Sequence, residues 1–156
     1  MTKKKRDLLC IGTIATDRYL FVKQFSSTLK GGEVYKSEMK FGGGASNTAF
    51  VSKKLGVDSD LLAYVGNDPA GNEYVKYLKK HKMFASKRLK GGTSLCTYII
   101  NEKSEQQKGY WFEGVGHQLK EMKIPKNLMR KFKVIHIAQI PVEIGLQLLK
   151  EDICLS

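Results

Sequence analysis

Three consecutive glycines directly before a predicted helix are the part of this sequence best suited to binding a ligand. Gly42–Gly44 precede a helical stretch that continues to Leu55, and Gly56 then follows as a residue typical of a helix C-terminus. Glycines allow the backbone to approach a ligand closely, and the free N–H groups at a helix start favour electron-rich ligand atoms. A purely structural alternative stays open, in which the glycines only form a tight turn between a strand and the helix.

Neither of the two best-known phosphate-binding loops is present. A P-loop requires Gly-Lys followed by Ser or Thr, and the sequence contains no Gly-Lys pair. The dinucleotide-binding pattern Gly-x-Gly-x-x-Gly fails at Gly42 because Asn47 occupies its last position, and at Gly114 because Leu119 does. The glycine loop is therefore assigned to neither class.

The elements that must position this loop are predicted from short apolar runs and helix-capping residues. A wholly apolar run at 8–11 and mainly apolar runs at 61–65 and 134–138 suit strands buried on both faces of a parallel sheet. Asp68 can cap a helix that begins with Pro69. The predicted helices run from the glycine loop to 55, from 69 through 78, over 125–132 and over 141–150. This alternation predicts an α/β layered domain.

Two segments interrupt the alternation, at about 18–41 and 94–113. In the first, polar and apolar residues mix around Gly31–Gly32, which predicts a hairpin with one face in solvent. In the second, Ser94–Ile100 and Tyr110–Phe112 are predicted to be strands. We expect these strands to form a small sheet beside the α/β body.

Composition limits the classes of protein to which this chain can belong. It has 156 residues, of which 42% are hydrophobic, and this excludes a disordered chain and fits one ordinary domain. No apolar run approaches the roughly 20 residues of a membrane-spanning helix, and no signal-peptide pattern follows the basic N-terminus. We therefore expect a cytoplasmic protein.

The excess of basic residues is interpreted as a solvated surface. The formal net charge is +12, but the basic residues are scattered apart from 3–6 and a group on one predicted helix, Lys76, Lys79, Lys80 and Lys82. A nucleic-acid-binding function stays open as an alternative, and a steep fall in affinity with added salt would identify it. No nucleic-acid-binding motif supports that alternative.

The three cysteines do not form a recognisable metal or disulfide pattern. Cys10, Cys96 and Cys154 have no Cys-x-x-Cys spacing, so neither a zinc site nor a disulfide framework is expected. Cys10 and Cys96 stand in apolar strand-like runs, where we expect buried, reduced thiols.

Several motifs in fixed order resemble one family of kinases. They are Gly43-Gly44-Ala45-Ser46-Asn47-Thr48-Ala49, then Leu55-Gly56, then Tyr64-Val65-Gly66-Asn67-Asp68-Pro69-Ala70-Gly71. Together with the preceding Gly12 and Asp17, they resemble the first signature of the ribokinase/PfkB-type sugar kinases, and the resemblance runs from about Leu8 to the end of the chain. It implies a ribokinase-like three-layer α/β sandwich with a small β-sheet lid. It also implies ATP-dependent phosphorylation of a hydroxyl of a sugar, sugar derivative or nucleoside.

The resemblance implies roles for individual residues. Asp17 resembles the family's acceptor of sugar hydroxyls, and a carboxylate can accept two hydroxyl hydrogen bonds at once. Asn47 resembles an amide that both donates to and accepts from the sugar. Their structural alternatives are a turn residue for Asp17 and a helix N-cap or first-turn residue for Asn47. The implied substrate-binding residues are Asp17, Gly43, Gly44, Asn47, Cys96 and Gln139, and the implied lid residues, for which simple packing is the alternative, are Tyr19, Phe21 and Tyr98.

The sequence departs from the family pattern in three places. Gln139 stands where many members have Glu, and Gly114-Val115-Gly116 replaces a Gly-Ala-Asn. The family's second signature, Asp-Thr-x-Gly-Ala-Gly-Asp, supplies the anion hole and the catalytic base, and it does not occur in this sequence. ATP and Mg²⁺ are implied for the intact family member, but this chain contains no motif for binding either.

These observations lead to one main hypothesis and one alternative, beside the nucleic-acid-binding function left open above. We expect the substrate-binding and lid portion of a truncated or frameshifted kinase, without the ATP-binding half and not catalytically competent by itself. No catalytic residue is assigned, and no metal site is expected. Because the family's lid often forms a dimer surface, a homodimer through the lid is predicted. The alternative is a regulatory module that binds a sugar or nucleoside without turnover.

Overall fold

The computed structural model describes residues 5–27, 31–149 and 154–155, and these residues form two four-stranded sheets, a two-stranded sheet and flanking helices. The strands are β1 (Arg6–Gly12), β2 (Ala15–Val22), β3 (Lys36–Gly42), β4 (Ser59–Leu62), β5 (Tyr64–Gly66), β6 (Lys87–Leu89), β7 (Leu95–Asn101), β8 (Gln106–Phe112), β9 (Phe132–Ala138) and β10 (Cys154–Leu155). The helices are α1 (Gly44–Lys54), α2 (Pro69–Lys80), α3 (Lys126–Met129) and α4 (Val142–Leu149), with a 3₁₀-helix over Gly114–Glu121.

The body is a parallel sheet of strand order β10–β9–β1–β4, covered on both faces. Leu9 and Ile11 of β1 pack in one apolar cluster with Ile144 of α4, whereas Cys10 packs in a second cluster with Ala49 of α1. This explains why residues 8–11 of β1 are all apolar, because each face of a parallel sheet must be buried. The predicted α/β layering is confirmed.

The capping residues predicted from sequence are confirmed in α1 and α2. The Asp68 carboxylate accepts a hydrogen bond from the Gly71 N–H at 2.8 Å, and Pro69 is the first residue of α2. Gly56 follows the end of α1 with φ +90°, the left-handed conformation that glycine adopts without cost. The group Lys76, Lys79, Lys80 and Lys82 is exposed, as expected for a solvated helix face.

The prediction of one buried strand over 61–65 is wrong. β4 ends at Leu62, and β5 joins a separate two-stranded sheet in which Tyr64 pairs with Lys87. The Gly66 N–H donates to the Thr93 hydroxyl at 3.1 Å, so the chain leaves the body sheet to reach the loop before β7. The residues of this run are buried apart from Tyr64, as an apolar run predicts. An apolar run does not indicate, however, which strand each of its residues pairs with.

Two other predicted boundaries also change. The helix predicted over 125–132 shortens to α3, because Phe132 is buried and begins β9 by pairing with Arg6. α4 ends at Leu149, and Lys150 lies outside the described residues. Within the described part of the chain, no helix is long and apolar enough to cross a membrane.

The second four-stranded sheet is the predicted lid, with strand order β3–β2–β7–β8. β2 pairs antiparallel with β3, as the predicted hairpin requires, and parallel with β7. β8 pairs antiparallel with β7 and is exposed along its whole length. Residues 28–30 of the connection between β2 and β3, next to the predicted Gly31–Gly32 turn, lie outside the described residues.

Candidate functional site

The glycine loop joins the end of β3 to the start of α1 and packs against the turn between β1 and β2. Gly43 has φ +100°, and a Cβ there would lie 2.5 Å from the Ile14 Cα. Behind the loop, the buried Tyr74 hydroxyl donates to the Gly42 carbonyl at 2.7 Å and lies 2.6 Å from the Ser46 hydroxyl. Tyr74 of α2 therefore fixes the loop from behind, and the front of the loop contacts the turn that follows β1.

Gln139 links three of the segments that meet at this point. It directly follows β9, and its Oε1 accepts hydrogen bonds from the Thr13 hydroxyl at 2.6 Å and from the Gly44 N–H at 3.0 Å. Because Gln139 already accepts from the Gly44 N–H, that group is not free for a ligand. The missing side chain of Gly44 leaves room for the Gln139 amide, because a Cβ at position 44 would lie only 2.9 Å from Gln139 Oε1.

A cleft of about 640 Å³ lies between the strand ends of the body and the lid. Two residues of the predicted binding set, Cys96 and Gln139, line it, whereas the other four do not. Its polar lining residues that sequence reasoning missed are Thr13, Ser94, Glu113, His117 and Lys120, and its aromatic ones are Trp111 and Phe112. Strand parity could have found Trp111, because it stands directly opposite Cys96 in the β7–β8 pair.

Asp17 presents a carboxylate that accepts no hydrogen bond from the part of the chain that the structure describes. It lies in β2, paired with Lys40 of β3 and Cys96 of β7, and it is partly buried. A Cβ on Gly42 would lie 2.1 Å from its Oδ2, so a side chain at position 42 would force the carboxylate to move. Burial raises the pKa of Asp17, and no hydrogen bond from a described residue reaches its carboxylate. This group is available to accept hydrogen bonds from a ligand.

Asn47 is in the first turn of α1 and is exposed. Its backbone N–H donates to the Gly43 carbonyl at 2.9 Å, as helical geometry requires. The N-cap of α1 is Gly43, so Asn47 is a first-turn residue. Its side-chain amide makes no hydrogen bond to a described residue, and its proposed contact with a ligand stays a prediction.

The predicted lid residues share one face of the lid sheet with Asp17, because alternate residues of a strand point the same way. The rings of Tyr19 and Tyr98 stack with centroids 5.2 Å apart. A hydrogen bond to Cys96, with partial burial, raises the pKa of Tyr98 to about 12. The ammonium of Lys36 lies 4.5 Å from the centroid of the Phe21 ring. These aromatic residues therefore pack within the lid itself.

The expectation that both strand cysteines are buried is half correct. Cys10 is fully buried in the body sheet, and burial raises the pKa of its thiol to about 12. Cys96 is only partly buried, because β7 belongs to the lid and one of its faces is open to the cleft. Within residues 5–27, 31–149 and 154–155, no three His, Cys, Asp or Glu side chains are grouped to hold a metal ion.

Comparison with known protein families matches residues 5–154 to the pfkB family of carbohydrate kinases. The chain belongs to this family. The resemblance inferred from the glycine loop and the Asp68–Gly71 turn is thereby confirmed for 150 of its residues. A nucleoside kinase of Methanocaldococcus jannaschii is 29% identical over 97% of this pfkB-family chain and 50% of its own length. A nucleoside kinase of Methanothermobacter thermautotrophicus is 26% identical over 85% and 44% respectively.

Solved structures agree with this assignment. The crystal structure of the M. jannaschii nucleoside kinase, described as an archaeal member of the ribokinase family, has a TM-score of 0.82 and 27% identity, covering 96% of this chain and 50% of that one. A Thermotoga maritima ribokinase has a TM-score of 0.85 at 19% identity, covering 96% and 51%. The predicted ribokinase-like fold is confirmed. This pfkB-family chain spans about half the length of the curated relatives it matches.

Proposed function

We propose that this chain is the acceptor-binding and lid portion of an ATP-dependent kinase that phosphorylates a hydroxyl of a nucleoside or sugar. The observation that carries the proposal is the Asp17 carboxylate, which accepts no hydrogen bond from a described residue. It lies next to the glycine loop, and Asp17 pairs in the lid sheet with Cys96 on the cleft wall. A carboxylate accepts hydrogen bonds only, so it is suited to ligand hydroxyls that donate. The names of the two nucleoside kinases support a nucleoside as the first acceptor to test.

The proposed binding mode assigns each part of the site one task. Asp17 would accept from two hydroxyls of the acceptor, and Gly43 would keep the loop close to the turn at Ile14. Asn47 would supply an amide that donates and accepts, and the lid would exclude water from the reacting hydroxyl. MgATP, the catalytic base and a cytoplasmic location stay predictions for the whole protein. We assign none of the described residues to phosphoryl transfer.

Substitution of Asp17 with asparagine should weaken nucleoside binding about 10- to 100-fold, because a hydrogen bond to a charged group is worth roughly 1.5–3 kcal/mol. Trp111 is the only tryptophan and lines the cleft, so its fluorescence and isothermal calorimetry can both report binding of adenosine, uridine, ribose and fructose. Burial raises the pKa of Asp17, and ligand hydroxyls need the ionised form. Affinity for the wild type should therefore fall as the pH is lowered through that raised pKa.

The matched control is Glu73→Gln, which removes an exposed carboxylate of α2 away from the cleft and should leave affinity unchanged. The asparagine variant should also lose the pH dependence. Failure of the wild type to bind any of the four ligands, or equal binding by Asp17→Asn, would overturn the proposed function.

We also propose that the chain forms a homodimer through the face of the lid opposite to Asp17. Met39 and Tyr110 lie in one row across that face and are 54% and 60% exposed. Sedimentation velocity at 20–50 µM, roughly the concentration range of moderate dimers, should show a dimer. Tyr110→Lys should shift it to monomer, whereas Leu55→Lys, at an exposed leucine that follows α1, should not. A monomeric wild type would contradict this proposal.

A further inference from the structure

A second cavity, which we call the basic cavity, lies at the other end of β1 from the cleft. Its volume is about 420 Å³. Its lining includes Arg6, Lys53, Asp58, Lys82 and Phe84. β1 begins at Arg6 and is followed at its other end by Thr13, which lines the cleft, so the length of this strand, about 20 Å, separates the two sites. The two sites share no lining residue.

Basic residues are concentrated around this cavity. They lie at or next to the ends of α1 and α2 and the starts of β1 and β9, and they are Arg6, Lys53, Lys54, Lys80, Lys82 and Lys131. The Arg6 N–H donates to the Lys131 carbonyl at 2.8 Å, which joins the two strand starts. Burial lowers the pKa of His81, and the nearby ammonium groups of Lys80 and Lys54 lower it further. The ends of α1 and α2 therefore place like charges close together.

Two aspartates neutralise part of this charge. Asp58, on the cavity wall, accepts hydrogen bonds from the Arg6 guanidinium at 2.9 and 3.1 Å and lies 3.6 Å from the Lys53 ammonium. Asp60 is buried and contacts Arg6 at 2.6 Å. Within the part of the chain that the structure describes, no acidic side chain pairs with Lys82. Positive charge is therefore left over on the α2 side of the cavity.

Lys82 occupies a backbone position that is usually glycine. Its φ is +56°, its N–H donates to the Lys79 carbonyl at 3.0 Å, and the Met83 N–H donates to the Leu78 carbonyl at 3.0 Å. This pair of bonds ends many helices, and the left-handed residue in it is most often glycine, as Gly56 is after α1. Lysines in the last turn of α2 already complement the helix dipole. A strained lysine on a cavity wall is therefore a reason to look for a function there.

An exposed aromatic ring lies beside these cations. Phe84 is 66% exposed, and its backbone is fixed because its N–H donates to Asp60 Oδ1 at 2.8 Å. The other oxygen of the same carboxylate accepts from the Arg6 guanidinium. One buried aspartate therefore positions both the ring and a cation on the cavity wall.

An aromatic ring flanked by cations suits single-stranded nucleic acid. The bases of a single strand are free to stack on aromatic side chains, while its phosphates contact lysine and arginine. In a duplex the bases stack on one another, so only the phosphates remain for the protein. A base can enter a concave site of this size, whereas the flat surface of a lipid bilayer cannot. The charge, the ring and the concave shape together favour a single strand.

We propose that the basic cavity binds single-stranded nucleic acid, with one base stacked on Phe84 and the adjoining phosphates in contact with Lys82 and Lys53. Neither contact distinguishes between bases, so the binding has no sequence preference. This function is separate from acceptor binding and does not require a ligand in the cleft. A nucleoside and a single strand should therefore bind at the same time.

Fluorescence anisotropy with a labelled oligouridylate of about 12 nucleotides tests the proposal. At about 100 mM salt the wild type should bind with a Kd of roughly 1–100 µM, the usual range for sequence-independent binding. Contacts with about three phosphates should give a slope near −2 for log K against log salt. RNA duplex of the same length should bind more weakly. No binding at about 100 µM, equally tight binding of the duplex, or a preference for phosphatidylserine vesicles would overturn the proposal.

Lys82→Gly separates binding from stability. Glycine adopts φ +56° without strain, so the urea midpoint should not fall. Affinity for the oligouridylate should fall, and the salt slope should become shallower by about 0.7, the contribution of one phosphate. The matched control is Lys103→Gln, which removes the same charge from the exposed turn between β7 and β8 and should leave affinity unchanged. Equal affinities of the two variants would overturn the role of Lys82.

Phe84→Leu tests the stacking contact. Leucine keeps an apolar side chain but has no planar face, so affinity should fall about five- to 100-fold, the range for a lost base stack, with an unchanged salt slope. Unchanged affinity would overturn the stacking role. Both variants should bind adenosine in the cleft as the wild type does, because Phe84 and Lys82 do not line it. Failure of the wild type to bind adenosine would overturn the proposed function alone.

Discussion

Replacing Gly43 with alanine is expected to lower the free energy of unfolding by about 2–6 kcal/mol. Gly43 has φ +100° and ψ +140°, a region nearly confined to glycine, where a residue with a side chain is strained by about 1–3 kcal/mol. A Cβ would also lie 2.5 Å from the Ile14 Cα and 2.6 Å from the Thr13 carbonyl oxygen. Both are backbone atoms of the β1–β2 turn and cannot rotate away, so the turn must move, and overpacking of this kind costs about 1–3 kcal/mol.

Gly56→Ala separates the two contributions. Gly56 has a similar φ of +90°, but a Cβ there would have no heavy atom within 4 Å, apart from its chain neighbours. Its substitution should therefore cost only the strain, about 1–2 kcal/mol. Urea unfolding of both variants by circular dichroism measures the difference. Equal losses would show that the contact between the loop and the turn does not constrain residue 43.

The Gly43→Ala substitution should also weaken ligand binding. If Gly43→Ala moves the β1–β2 turn, it moves Thr13, which donates to Gln139 and lines the cleft. A folded Gly43→Ala protein should therefore bind adenosine more weakly than Gly56→Ala does, in the Trp111 fluorescence assay. This links a backbone conformation predicted from three glycines to the geometry of the cleft.

Local signals in the sequence predicted the elements well. Asp68, Pro69 and Gly56 act through their own backbone or through neighbours within a few residues, so their effects can be inferred without knowing the fold. The apolar runs also predicted the strands β1 and β9, and burial is nearly complete over 8–11, whereas of 134–138 only Ile135 is buried. The division between β4 and β5 could not be predicted, because it depends on Gly66 meeting Thr93, 27 residues further along the chain.

The site was predicted only in part. The family resemblance assigned Asp17, Gly43, Gly44 and Gln139 to one binding site, and the structure places Asp17 next to Gly42 and Gln139 next to Gly44. The hydrogen bonds of Gln139 join residues 126 and 95 positions apart, and sequence spacing carries no information on such contacts. Cys96 was expected to be buried because an apolar run does not distinguish a body strand from a lid strand with one open face.

Replacing Asp68 with alanine should lower the free energy of unfolding by about 3 kcal/mol. Its carboxylate caps α2 through the Gly71 N–H and accepts from the Thr93 hydroxyl at 2.6 Å and the Thr93 N–H at 3.1 Å. Loss of an N-cap costs about 1 kcal/mol, and each buried donor left without a partner costs about 1–3 kcal/mol. Thr93 is buried, so water cannot replace the lost acceptor there. Asp68→Asn keeps one acceptor oxygen and should lose about half as much.

The loss should depend on pH in a direction that the pKa of Asp68 fixes. Partial burial opposes ionisation, but the hydrogen bonds from Thr93 and Gly71 outweigh it, and the pKa of Asp68 lies below its usual value. The ionised carboxylate therefore stabilises the fold fully above the unfolded-state pKa of about 4, and this contribution is lost as the pH falls toward the lower folded-state value. The stability difference between wild type and Asp68→Asn should be constant from pH 5 to 7, roughly the range above that pKa, and should shrink below about pH 4.

Glu73→Ala provides the control for this comparison. Glu73 is an exposed carboxylate in the same helix and pairs with Lys76 at 2.7 Å, and a surface ion pair of this kind contributes about 0–1 kcal/mol. Its removal should change the unfolding free energy by less than 1 kcal/mol, roughly the limit for such pairs. A loss for Asp68→Ala no larger than that for Glu73→Ala would mean that the link from α2 to Thr93 does not stabilise the fold. A loss near 3 kcal/mol would instead show that Asp68, in the Gly66–Pro69 turn after β5, stabilises the fold by linking α2 to Thr93. Thr93 lies just before β7, so this contact would connect α2 to the lid sheet.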